Sequence, residues 1–581
     1  MTKMESGDRF IGAATAEVAL RDAPERAVAA EAPIPTAPVT PAPVTPAPAS
    51  ATPPPFVAMK PWRAALYALG SIVLGITQGL GVNLVSSNTT GLQGAFGASG
   101  IEMAWPAAAY FATNITGTLV LFKVRNQFGL RRFGEIGLVV YLLVALAHLF
   151  TNGLTSVIFI RAVTGFVAAP LSTLAFFYML EWVPPAKKMS VGICFGMLGS
   201  NLALPVARII SPDLLQLGDW HGLYLLEAGM AAISFAIVFT LPLTHPPRIK
   251  MFDRDDWVSL PLLAVMFGCF SLVLSLGKTY WWFESPWLGM LTAVGLVALI
   301  GLLVVEFHRE NPIIDLRWLG TGEMVRFAML LLAFRILLSE QSTGMVNFFT
   351  VLGMQNDQLE PLFAVIGISI FVTTAVLSQI IKPQRTMTFH MVALAMIAAA
   401  AWMDAQSTVL TRPEQFFVSQ ALMAAASALF LPPSLVTGFG KALAKGPRYI
   451  LSFMTVFIGT QTVGGMIGSA IWSTIQTLRE QFHSNVIAEH MTLVDPNVAA
   501  RVATYAGVYA KTLVDPALRS AEGVVMLGQA ATQQANVLAY DDVFTMIFWL
   551  ALAMMALLLA RSVIAEWTAK LTPRAASAAA S

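Results

Sequence analysis

Long apolar runs, each closed by a short polar stretch, recur along this chain from residue 62 to residue 565. A helix rises about 1.5 Å per residue, so about 20 apolar residues cross a bilayer. Runs of that kind occupy 62–85, 103–122, 133–151, 155–180, 189–210, 222–243, 257–277, 286–306, 325–350, 361–381, 387–404, 415–438, 450–476 and 543–565. The pattern predicts about fourteen transmembrane helices. One of them is unlike the rest. Met324 to Thr350 reads MVRFAMLLLAFRILLSEQSTGMVNFFT and sets Arg335 and Glu340 inside an apolar run. Charge at such depth is costly and marks a pathway, a relay or a gate, or else a pair that joins helices. The two residues are about 140° apart around an ideal helix, which predicts partners on other helices.

Three stretches break the pattern. Residues 1–60 contain TPAPVTPAPVTPAPAS, and this composition predicts a disordered, extended cytoplasmic tail. Residues 571–581 read as a second, short tail. The polar gap 477–542 carries amphipathic stretches such as PNVAARVATYAGVYAKTL, which predict helices outside the bilayer, lying on its surface.

Composition sharpens the class. The chain has 581 residues, 56% hydrophobic and only 12% charged, where a soluble domain carries about 25% charged residues. This is an all-α polytopic membrane protein. Cys194 and Cys269 both lie in apolar runs, so neither a disulfide framework nor a metal site is expected. No cofactor is expected. The absence of a GxxxxGK[ST] loop disfavours an ATP-driven pump, and no nucleophile constellation suggests an enzyme.

Charge distribution sets the orientation. With the N-terminus inside, the inner loops collect Lys123, Arg125, Arg131, Arg132, Lys187, Lys188, Arg248, Lys250 and others through Arg448. The short outer loops hold Lys278 and Arg412. By the positive-inside rule both termini are cytoplasmic and the 477–542 loop is outside.

Several motifs then carry a resemblance. Leu80 to Tyr110, LGVNLVSSNTTGLQGAFGASGIEMAWPAAAY, resembles the first hairpin of the major facilitator superfamily, and more closely the fourteen-span drug:proton antiporters of the EmrB/QacA type. Trp105 and Tyr110 match that family; Gly81 and Thr90 stand where it has Asp and Pro. FKVRNQFGLRR resembles its inner-loop motif, with Asn126 in the Asp position and Gly129, Arg131 and Arg132 kept. Such a loop sets cations against helix ends and can latch two helices, or merely anchor them. SVIFIRAVTGFVAAP keeps the family's Arg161 and Gly165, and GSNLALPVARII keeps Pro205. DWHGLYLLEAGM resembles Trp-Arg-x-x-Phe-x-x-Asn, with His221 and Glu227 replacing the Arg and Asn. TQTVGGMIGSAIWSTI resembles the glycine-rich thirteenth span, whose Gly464, Gly465 and Gly468 suit close helix approach.

The resemblance implies a major facilitator fold of two six-helix bundles, 61–245 and 321–570, with two inserted spans in 246–320. It implies a proton-coupled multidrug exporter of the cell inner membrane, moving small amphipathic compounds. It also implies a periplasmic adaptor and an outer-membrane channel as partners, with loop 477–542 as the docking candidate or else a lid. Proton-coupled uptake, or a sensor or enzyme on a transporter fold, are the alternatives.

Among polar residues inside spans, Arg161, Arg208 and Glu227 fall in the outer third of the N-terminal half. They suggest an outer gate in which Glu227 pairs with Arg208 or Arg161, or else a static pair. Gln78, Asn83, Asn114 and Gln461 are cavity candidates, or helix-to-helix hydrogen bonders. Glu340, about 15 residues into its span and so near the midplane, is the expected proton-coupling carboxylate, opposed by Arg335 when the two are close.

Overall fold

The computed structural model describes residues 59–244, 252–309, 312–446 and 449–571. The two expected tails, apart from residues 59, 60 and 571, lie outside the described residues, as do Arg248, Lys250 and Arg448. The described residues contain no strand.

In chain order the helices are α1 (Pro61–Ser87), α2 (Thr89–Phe96), α3 (Trp105–Phe128), α4 (Leu130–Ala147), α5 (Leu154–Val167), α6 (Ala169–Trp182), α7 (Ile193–Gly196) and α8 (Leu198–Thr240). Next come α9 (Asp256–Leu276), α10 (Pro286–His308), α11 (Leu316–Leu319), α12 (Gly322–Ser339), α13 (Met345–Val351) and α14 (Asn356–Ile380). The last are α15 (Thr386–Asp404), α16 (Phe417–Lys445), α17 (Tyr449–His490), α18 (Pro496–Val508) and α19 (Pro516–Leu571). Starts follow local chemistry: Pro106 and Pro286 open α3 and α10, where a missing N–H costs nothing, and a Gln355–Gln358 capping box opens α14. Gly129, at φ 93°, separates α3 from α4. We call the side where α1 begins basal and the side where it ends apical; successive crossings alternate between them.

Thirteen described helical stretches are long and apolar enough to cross a bilayer. The span expected at 325–350 is not among them, and it is not one regular helix. A π-helical turn, Glu340–Gly344, separates α12 from α13. Such turns widen the backbone and recur at functional sites. Helix α8 carries two crossings: a Cβ on Gly222 would lie 2.4 Å from the Leu214 carbonyl oxygen, so the chain folds back sharply between them.

Close packing follows small residues. A Cβ on Gly75 would sit 3.0 Å from Gly199, and one on Gly79 would sit 2.2 Å from the Ala203 Cβ, so α1 and α8 touch backbone to backbone. The inserted pair α9–α10 packs in one apolar cluster with both halves, Leu263 and Met266 meeting Ile115 and Leu119 of α3 and Leu451 and Met466 of α17.

The 477–542 segment differs from the expectation. Most of it continues the two flanking crossings as helix. Helix α17 runs for 42 residues, about 63 Å at helical rise, twice the roughly 30 Å of hydrocarbon. Helix α19 is longer still, at 56 residues. Both carry on past the apolar run as amphipathic helix, tied by Arg479–Asp542 at 2.6 Å, His483–Asp542 at 2.7 Å and Gln476–Asn536 at 2.8 Å. Helix α18 packs on α19 through Val502 and Gly523.

Candidate functional site

Two buried polar clusters occupy the apical part of the molecule, one in each half. In the N-terminal half Arg161 enters from α5, seven residues past its start, or about 10 Å from the apical end. It is 1% exposed. Its Nη1 donates to the Gly81 carbonyl of α1, and its Nη2 donates to Glu227 Oε2 of α8 at 3.1 Å. The Tyr141 hydroxyl lies 3.5 Å from Glu227 Oε1 and 3.4 Å from the Thr77 carbonyl. The guanidinium stands over the Tyr224 ring at 5.2 Å, and the His148 ring stacks on the same Tyr224 ring at 4.8 Å. Arg161 of α5 is thus fixed against α1 and α8, and removing its anion would strand a buried cation at a cost of about 3–5 kcal/mol.

Of the two partners expected for Glu227, the fold selects Arg161. Arg208 does not pair with Glu227. Its Nη1 donates to Asn356 Oδ1 at 2.6 Å, across to α14 in the other half. Asn356 Nδ2 in turn donates to the Ser87 carbonyl at 2.7 Å and to Asn88 Oδ1 at 3.3 Å, and Asn88 Nδ2 donates to Ser211 Oγ at 2.7 Å. The first crossing of α8 turns Arg208 towards α14 and its second turns Glu227 towards α5, so sequence proximity to the apical end does not bring them together.

In the C-terminal half Glu340 opens the π turn and is fully buried. Gln420 Nε2 of α16 donates to Glu340 Oε1 at 3.2 Å and to Asp404 Oδ2 at 2.9 Å. Asp404 is the last residue of α15 and is 1% exposed. Gln341 Nε2 donates to Gln420 Oε1 at 3.2 Å, which fixes the Gln420 amide with its nitrogen towards the two carboxyls. Glu340 lies level with Asp404 and Gln420 at the apical ends of α15 and α16, about 27 Å along from Gly322, and α13 carries the chain on from the π turn to Val351.

Arg335 and Glu340 have separate surroundings, as their angular spacing predicts. Arg335 Nε donates to the Gln461 carbonyl of α17 at 3.0 Å. Gly464 faces its stem and Gly465 its guanidinium: a Cβ on Gly464 would lie 3.1 Å from Arg335 Cβ and one on Gly465 would lie 3.0 Å from Arg335 Nη2. A Cβ on Gly468 would meet Ser339 Oγ at 2.2 Å.

The four cavity candidates do not form one cluster. Asn83 Nδ2 donates to Gly79 of its own helix at 2.9 Å, and Asn114 Nδ2 to Gly165 of α5 at 2.9 Å. Gln461 Nε2 is buried without a hydrogen-bond partner, and Gln78 is half-buried on α1. In the inner-loop motif Asn126 Oδ1 accepts from Arg125 Nε and Nη2, Arg131 pairs with Glu135 of its own helix at 2.7 Å, and Arg132 is exposed. The basal tie comes instead from the preceding Lys123, which the motif did not single out. Lys123 Nζ meets Asp256 at 2.6 Å, Arg309 Nη2 meets Asp256 at 2.8 Å, and Arg309 Nη1 meets Glu306 at 2.9 Å. This balanced tetrad fastens α9 and α10 to α3. Asp404, Gln420 and Asp256 were also missed: Asp404 closes one apolar run and Asp256 precedes another, so both look like loop residues, and Gln420 carries no charge.

The family model described as Major Facilitator Superfamily matches residues 68–477. The chain belongs to the major facilitator superfamily. Among its relatives, "Multidrug export protein EmrB" of Escherichia coli (strain K12) is 23% identical over 448 residues, 72% of this chain and 80% of that protein. "Probable multidrug resistance protein EmrY" of the same strain is 27% identical over 232 residues, 39% of this chain and 44% of that one. Among solved structures, the human organic anion transporter MFSD10 (TETRAN) aligns with a TM-score of 0.50 at 13% identity, over 85% of this chain and all of its own. The proton:xylose symporter XylE aligns with a TM-score of 0.50 at 12% identity, over 84% of this chain and 95% of its own. Both likenesses are of fold. This member of the superfamily is a multi-pass membrane protein with the major facilitator fold, two inserted helices and an apical helical extension.

Proposed function

We propose that this chain is a proton-driven exporter of small amphipathic, toxic compounds, an antiporter of the cell inner membrane with its basal side cytoplasmic. A relative named as a multidrug export protein supports the substrate class and the direction, and one named as a probable multidrug resistance protein supports the substrate class. The cationic residues of the basal side support the orientation. We take 61–245 and 321–570 as the moving bundles, with 246–320 as the inserted pair.

The observation that carries the proton coupling is the Glu340–Gln420–Asp404 arrangement. Two buried carboxyls share one amide donor, and no ion pair among the described residues supplies either with a cation. Two uncompensated charges there would be prohibitively costly, so at least one proton resides on the pair while the site is closed. Opening of the site to water removes that penalty and lets the proton leave. Glu340 is the proton carrier in this reading, with Gln420 holding it beside Asp404. The apical extension of α17–α19 would offer the docking surface for a periplasmic adaptor and, beyond it, an outer-membrane channel. Substrate crosses as the two halves rock about a central cavity.

Inverted membrane vesicles with an imposed pH gradient, tested against lipophilic acids, cations and antibiotics, measure direction and coupling together. Glu340→Gln keeps the shape and the hydrogen bond to Gln420 but removes titration. It is expected to fold, bind substrate and lose pH-driven uptake. Normal uptake by that variant would eliminate Glu340 as the carrier.

A further inference from the structure

The π turn that opens on Glu340 is held from outside its own helix. The Glu340 N–H turns to the Leu337 carbonyl, three residues back. It thereby passes over the Ile336 carbonyl that a regular helix would bond there. A buried carbonyl passed over in this way needs another donor. Trp472 of α17, 5% exposed, supplies one: its Nε1 donates to the Ile336 oxygen at 2.9 Å, beside Ser339 Oγ at 2.6 Å. Helix α17 also makes room for that oxygen. A Cβ on Gly468, one turn before Trp472, would stand 2.8 Å from it. Further along the turn, Thr343 Oγ1 donates to Ser469 Oγ at 3.2 Å. One face of α17, carrying Gly468, Ser469 and Trp472, thus grips the widened turn at both ends.

The grip bears on the carboxyl. Neighbouring residues of a regular helix point about 100° apart. Glu340 and Gln341 nevertheless both meet Gln420, Glu340 by accepting from its Nε2 at 3.2 Å and Gln341 by donating to its Oε1 at 3.2 Å. The widened turn permits that convergence. We infer that Trp472 is a positioning residue for Glu340: its indole N–H takes up the carbonyl that the π turn leaves over, keeps the turn open, and so holds the Glu340 carboxyl beside Gln420 and Asp404. Another face of the same helix meets the inserted pair, where Trp282 Nε1 donates to Thr474 Oγ1 at 2.9 Å. That bond is of the same kind but bears on nothing near Glu340, which makes it the natural control.

The inference rests on the reading of Glu340 as the proton carrier. Its test is infrared spectroscopy of the purified full-length chain in detergent, with the melting temperature recorded beside it; no cargo is needed. The wild type is expected to show a protonated-carboxyl band that Glu340→Gln removes. A carboxyl C=O freed of a hydrogen bond absorbs at higher frequency. Trp472→Phe keeps most of the ring and loses only the N–H, so it should melt within a few degrees of the wild type and move the Glu340 band up in frequency. Ser469→Ala should move the band the same way, by less. Trp282→Phe should leave it in place. A folded Trp472→Phe protein with the wild-type band would overturn the inference, as would an equal shift in Trp282→Phe. If Trp472→Phe does not fold, Ser469→Ala decides: a shifted band supports the grip of α17 on Glu340, and an unshifted one overturns it. A wild-type spectrum that Glu340→Gln leaves unchanged would remove the carrier reading and the inference with it, whereas a correctly assigned band that ignores Trp472 leaves the carrier standing and overturns the part of Trp472 alone.

Discussion

At the residue scale the decisive group is Arg161, because each of its contacts uses a different part of the guanidinium. Nη1 serves the Gly81 carbonyl, Nη2 serves Glu227, and the flat face lies over Tyr224. An ammonium keeps the charge but is a compact point with no planar fork. Arg161→Lys must therefore give up at least one charged hydrogen bond, worth about 1.5–3 kcal/mol. Transport is expected to fall about tenfold or more on that account. Initial rates in vesicles, normalised to folded protein, measure it, and a normal rate would show that charge alone suffices. The chain revealed Arg161, Glu227, Arg335 and Glu340 as charges that an apolar run cannot hold without a purpose. It did not reveal which charge meets which. Arg161 and Arg208 lie at similar depth along their helices, and only the direction each helix faces separates them. Asp404 was hidden for a different reason. The end of an apolar run is where a charged residue is unremarked, and its burial depends on the packing of α16 beside it.

At the element scale nearly every crossing was legible, since hydrocarbon leaves a helix no alternative way to satisfy its backbone. Two features were not. The π turn at Glu340–Gly344 leaves the apolar run unbroken, so hydropathy does not register it. Helices α17 and α19 continue beyond their apolar runs on amphipathic sequence, where periodicity alone does not tell a new helix from the extension of an old one. Helix contacts are set by single glycines. Between α3 and α5, a Cβ on Gly165 would stand 2.3 Å from the Tyr110 carbonyl oxygen and 2.5 Å from Thr113 Oγ. Thr113 and Asn114 bond the α5 backbone across the same contact, at 2.6 Å to Ala162 and 2.9 Å to Gly165. Gly165→Ala must push the helices apart, an overpacking cost of about 1–3 kcal/mol. It is expected to lower the melting temperature and the yield of monodisperse protein on size exclusion. Gly289→Ala on α10, where a Cβ would meet nothing within 4 Å, should leave both unchanged.

At the scale of the whole molecule, rocking of the halves requires contacts that can break on one side while others hold. The apical contact is specific. Asn356 of α14 is the hub: it accepts from Arg208 of α8 and donates to Ser87 and Asn88 at the end of α1. Ser211 lies beneath this hub, 0% exposed, and accepts from Asn88. Because all three partners of Asn356 belong to the opposite half, all three hydrogen bonds must break when the halves part apically. None of them is an ion pair, so each has a modest net worth, about 1.5–3 kcal/mol for the one to Arg208 and about 1 kcal/mol for the others. A latch of this strength closes the apical side without locking it. Asn356→Ala removes all three bonds at once and leaves Arg208, only 8% exposed, without its acceptor. The closed apical arrangement should then be less populated. A cysteine placed at Ser211 reports this directly, since the native Cys194 and Cys269 are both buried. Ser211→Cys alone is expected to react slowly with a membrane-impermeant maleimide applied from the apical side, and several-fold faster when combined with Asn356→Ala. Equal labelling rates in the two backgrounds would show that the Asn356 hub does not hold the apical side closed.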